Sequence, residues 1–81
     1  MIRRNHLRRT LERLKKHRPE HAEAIQTVLD NEAGMAQLHD KVKADLPPVD
    51  TGRPILDWLW NHREQILKFV LMIIGMLGAG S

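Results

Sequence analysis

Two short constellations in this chain carry residue types that chemistry needs. Asp50-Thr51-Gly52 matches the tripeptide that holds the catalytic aspartate of aspartic proteases. That chemistry needs two carboxylates sharing one proton on a β-rich scaffold, which a homodimer would have to assemble. The tripeptide stands between Pro48 and Pro54 with no strand pattern beside it, so it reads as a turn in a linker. His17 and His21 are four residues apart, a spacing at which one helix can offer two imidazoles to a metal. Pro19 lies between them and breaks the shared face. The chain has no cysteine and no His-Glu-x-x-His pattern, and all five histidines, His6, His17, His21, His39 and His62, read as surface imidazoles. No glycine-rich phosphate loop leads into a helix, and Ser81 stands in no nucleophile motif. The expectation is therefore a protein that is not an enzyme, with no catalytic residue, metal or cofactor and no small-molecule substrate.

Charge is the more informative chemistry. The net charge of +3 conceals a steep gradient. Residues 1–18 hold eight basic side chains, Arg3, Arg4, Arg8, Arg9, Arg13, Lys15, Lys16 and Arg18, against the single acid Glu12. Residues 19–46 hold six acids and two lysines, and residues 47–81 balance at three of each sign. A cluster of cations binds anions: phosphates of nucleic acid, the anionic headgroups of a membrane, or an acidic protein surface. Nucleic-acid binders interleave aromatic rings with their cations to stack bases, and residues 1–18 contain no aromatic ring. Anionic-surface binding through those eight residues is expected, with a membrane as the first partner and nucleic acid or an acidic partner as the alternative. Pairing of the basic segment with the acidic one that follows it is a third reading.

These residues need elements to position them, and the pattern is helical throughout. No segment alternates with period two. Leu7, Leu11 and Leu14 recur at i, i+4 and i+7, giving a first helix over about 2–17 with a narrow apolar stripe. Pro19 stops it and opens a second helix over about 19–46, on which Ala22, Ile25, Val28, Leu29, Ala36 and Val42 share a face with Met35 and Leu46 at its edge. Asp30-Asn31-Glu32-Ala33-Gly34 is a weak spot, where Gly34 would end one helix and start another. The proline-rich stretch 47–54 is a stiff linker to a third helix over about 54–77. The expected fold is all-α: a charged helical hairpin (1–46), the linker, and a long hydrophobic C-terminal helix within 55–81.

The third helix raises the question of where its apolar surface goes. Asp57, Asn61, Glu64 and Lys68 form one narrow polar stripe, continued by Gly75 and Ala79, and nearly all the remaining circumference is apolar. Residues 55–77 would extend roughly 34 Å, enough to cross a bilayer core of about 30 Å. Arg63, Glu64 and Lys68 oppose that. Three central charges cost about 8–10 kcal/mol, against roughly 4–7 returned by a dozen apolar side chains. An 81-residue chain buries only about 60% of its unfolded surface, so it has little protein to cover such a helix. Assembly is the expected solution. Trp58, Trp60, Ile66, Phe69, Val70, Ile73 and Leu77 would contact other copies or lipid, with the polar stripe and Gly75 and Ala79 fixing register and allowing close packing. The sequence thus reads as a small self-assembling homo-oligomer on the cytoplasmic side of a membrane. The alternative is a soluble, cytoplasmic helical homo-oligomer whose basic helix binds nucleic acid or an acidic partner.

Overall fold

The computed structural model describes residues 2–47 and 54–79 and is all-helical. Five α-helices follow one another: α1 Arg4–His17, α2 Ala22–Leu29, α3 Glu32–Asp45, α4 Ile55–Asn61 and α5 Arg63–Ala79, with a short 3₁₀ turn Pro19–His21 between α1 and α2. Lys15, Lys16 and His17 occupy the last turn of α1, where cations suit the negative helix end, and Pro19 then blocks continuation. Ile2 stays outside the helix but is buried, and its carbonyl accepts the His39 Nε2–H at 2.8 Å, tying the N-terminus to α3.

Two of the three expected helices are broken. The segment 19–46 divides at Asp30 and Asn31. Asn31 is extended (φ −118°, ψ 112°), and its Oδ1 accepts the Gly34 N–H at 2.8 Å, so it caps a new helix. The break thus falls inside the weak stretch 30–34, but Gly34 itself lies within α3 and Asn31 makes the new start. The break resets the helical phase. Leu38, which falls off the face drawn for one continuous helix, is fully buried with Met35 and Val42 at i−3 and i+4. The segment 54–77 divides at His62 (φ −105°, ψ 20°). The His62 Nδ1–H donates to the Trp58 carbonyl at 2.8 Å, and its ring stacks on Trp58 with centroids 4.2 Å apart. Of the linker, residues 48–53 lie outside the described residues, and with them Asp50-Thr51-Gly52.

Dividing the C-terminal helix lets its halves cover different partners. α4 packs on α1, while α5 packs on α2 and α3. All five helices therefore enclose one core: Leu7, Leu11 and Leu14 meet Ile25 and Val28, Leu38 and Val42, Leu59, and Ile66 and Val70. The assumption that so short a chain lacks protein to cover its last helix is thereby corrected. A chain of 9.4 kDa, folded as a compact monomer, exposes roughly 5,000 Å², and this one exposes 5192 Å². Each fully buried aliphatic or aromatic side chain contributes about 1.5–3 kcal/mol relative to exposure. With Ile66, Phe69, Val70 and Ile73 all buried, α5 is held by the chain's own hydrophobic contacts.

Candidate anion-binding site

The leucine stripe of α1 decides where its cations go. Leu7, Thr10, Leu11 and Leu14 are the buried residues of α1, so its cations lie on the remaining circumference. Arg3, Arg4, Arg8, Arg9, Arg13 and Lys16 are exposed, and none of the six forms an ion pair among the described residues. Arg9, Arg13 and Lys16 follow one another at i, i+4 and i+7 and so line one flank of the helix. The other two cations of the segment are engaged. Lys15 Nζ donates to Gln26 Oε1 and lies 3.8 Å from Glu12 Oε2. Arg18 Nη1 sits 2.8 and 2.9 Å from the two Glu64 oxygens, and its Nε is 3.1 Å from Glu20 Oε2.

These contacts shift two ionisation equilibria. The Arg18 guanidinium is held more firmly protonated by its hydrogen bond to Glu64 and then by Glu20. The Glu20 carboxyl is lowered, first by a hydrogen bond from its own backbone N–H and next by Arg18. Among the described residues, Arg18–Glu20 is the single ion pair joining the basic segment to the acidic one. The acidic segment therefore supplies no partner to the six exposed cations among the described residues, and Glu12 is the one acid on α1 itself.

Packing α4 on α1 adds the feature that residues 1–18 lack. Trp60, half-buried, lies among their cations. The Arg13 guanidinium carbon lies 4.0 Å from the Trp60 ring centroid and that of Arg63 lies 4.8 Å from it. His17 meets the same ring edge-on at 5.3 Å. Arg63 Nη1 also donates to the Trp60 carbonyl at 3.0 Å, which fixes the guanidinium beside the ring. Between the helices runs an open recess of about 150 Å³ lined by Arg9, Thr10, Arg13, Leu56 and Trp60. The Thr10 hydroxyl is committed to the His6 carbonyl at 2.9 Å. An aromatic plane under guanidinium groups can hold an anion and a flat ring together.

The residues assigned to oligomer or membrane contact lie elsewhere than on an outer surface. Trp58, Ile66, Phe69, Val70 and Ile73 are buried in the chain's own core, and Trp60 and Leu77 are half-buried against it. The polar stripe faces the other way: Asp57, Asn61, Glu64 and Lys68 are all exposed, as is Gly75, while the Ala79 side chain lies outside the described residues. What α5 leaves uncovered is a different apolar strip, Leu71, Met72 and Met76, on either side of Gly75. It adjoins a second open recess, of about 210 Å³, lined by Gln37, Lys41, Met72, Ile73 and Met76. No helix among the described residues is long and apolar enough to cross a membrane. Nor do the described residues group three His, Cys, Asp or Glu side chains at a metal-binding distance.

The Trp60 cluster is not legible in the sequence because Arg13 and the ring it covers are 47 positions apart. The only local signal is Trp60 with Arg63 three residues on, one helical turn away. No protein-family model, curated protein or solved structure matches the chain.

Proposed function

We propose that this protein is a small helical binding module that engages a polyanion through the outer face of α1. The reading rests on one observation: six exposed cations, five on α1 and Arg3 at its N-cap, have no carboxylate partner among the described residues. Phosphates neutralised by such a helix release condensed counterions, so binding weakens steeply with salt. The test is fluorescence anisotropy of a labelled oligothymidylate at a series of salt concentrations. Each contacted phosphate adds about −0.7 to the slope of log K against log salt. Replacing Arg9, Arg13 and Lys16 together by Gln should make that slope roughly 2 less steep. Absence of binding to oligothymidylate and to inorganic polyphosphate at low salt would overturn the proposal.

Self-association is the second reading, and the outer strip of α5 supports it. Leu71, Met72 and Met76 are exposed large apolar side chains, and a Cβ at Gly75 would meet no described atom within 4 Å. A helix of a second copy could approach closely there. Light scattering on the wild type and on Met72→Glu tests this. A monomer in both, up to high concentration, would exclude the interface.

A further inference from the structure

We infer that Trp60 is a stacking platform for an unpaired nucleobase, with Arg9 and Arg13 holding the phosphates on either side of it. This deepens the polyanion reading and rests on it. The platform is already built. Trp60 is half-buried and held between α1 and α5, with Arg63 pinned beside it by the hydrogen bond to its own carbonyl. Arg13 covers the ring at 4.0 Å without a carboxylate partner among the described residues, and Arg9 stands one turn earlier on the same recess.

An exposed guanidinium lying on an aromatic face is a weak contact and exchanges readily. A base arriving with its own phosphates offers both groups a better partner. The base takes the ring face, and Arg13 swings onto a phosphate oxygen, where it forms charge-assisted hydrogen bonds in a bidentate geometry. Among these anionic ligands, nucleic acid brings a flat π-face with every phosphate, spaced to exchange for the guanidinium at one ring while its charges meet the neighbouring cations. A phospholipid headgroup or polyphosphate has none and would leave Arg13 on the ring. Bases in a duplex are stacked on one another, so the ligand class is single-stranded. Stacking is tolerant of base identity, so little sequence preference is expected.

The test uses the full chain carrying Trp58→Phe, which leaves Trp60 as the only tryptophan, with helix content verified by circular dichroism. Oligothymidylate should quench Trp60 emission, whereas inorganic polyphosphate of equal charge and duplex DNA should bind without quenching. Trp60→Leu in the wild-type chain should weaken oligothymidylate binding roughly 5- to 140-fold and polyphosphate binding by much less. Trp60→Phe, which keeps a ring, should retain most of the affinity. Should Trp60→Leu fail to fold, the quenching comparison and Trp60→Phe still decide the matter. Equal binding of oligothymidylate and polyphosphate with no quenching would overturn the stacking site while leaving the polyanion reading intact. Binding of neither would overturn both. A blue-shifted Trp60 emission on phosphatidylserine vesicles, with no binding of oligothymidylate, would overturn the stacking site in favour of a lipid surface.

Discussion

If α5 is covered by its own chain, then Ile66→Ala must carry the full cost of a core cavity. Ile66 is completely buried between α5 and its neighbours. Truncating such a side chain loses its transfer energy and leaves a void, together about 2–5 kcal/mol. A domain of 81 residues has roughly 4–12 kcal/mol in all. The loss is thus a large share of the whole. With a urea slope of about 1.5 kcal/mol per M, the midpoint should fall by roughly 1.3–3.3 M. Met72→Ala, six residues further along the same helix at 48% exposure, should change stability by only about 0.5 kcal/mol. The assay is urea denaturation followed by circular dichroism, run at two protein concentrations a hundredfold apart. If copies had to associate to cover the apolar arc, the denser sample would gain about 2.7 kcal/mol for a dimer. Intrachain burial requires coincident midpoints. A concentration-dependent midpoint, or an Ile66→Ala cost no larger than that of Met72→Ala, would refute the reasoning.

Other consequences follow from single contacts. Asn31→Ala removes the side-chain acceptor of the Gly34 N–H at the start of α3 and should cost about 1 kcal/mol in thermal unfolding, with Asn31→Asp nearly neutral. Gly75→Ala adds a methyl group to a helical site where nothing described lies within 4 Å, so it should stabilise the fold by about 0.8–1 kcal/mol, seen as a raised melting temperature. The Glu20 carboxyl is lowered from 4.5 in the folded chain, so its contribution is present above that pH and is lost as pH falls through the folded value. Thermal melts of wild type and Glu20→Gln should therefore differ at pH 6 and converge well below pH 4. Arg18, raised from an already high value, stays charged over that whole range and adds no slope of its own.

The all-α class, the leucine stripe of α1, its stop at Pro19 and its outward-facing cations were all legible in the sequence. They depend on spacing within one helical turn or on a proline ring, and both act over a few residues. Of the two helix breaks, the one within 30–34 carried a signal in the sequence and the one at His62 carried none. Asn31 can sit inside a helix or cap one, and the choice falls to the cap once Leu38 and Met35 gain a core to face. His62 likewise ends α4 because its ring has Trp58 to stack on and its Nδ1–H has a carbonyl to bond. The destination of the apolar arc is not legible in the sequence, because hydropathy gives the amount of surface to be covered and not what covers it. Only the packing of α5 on α2 and α3 turned Ile66, Phe69, Val70 and Ile73 inward and left Leu71, Met72 and Met76 outside. The same applies to the candidate site. Charge density on α1 is a property of composition, whereas the ring beneath Arg13 arrives from a helix that begins beyond the prolines. Periodicity assigns a face to each helix, but contacts between faces are set by how the helices pack, and no spacing along the chain encodes the meeting of Arg13 with Trp60.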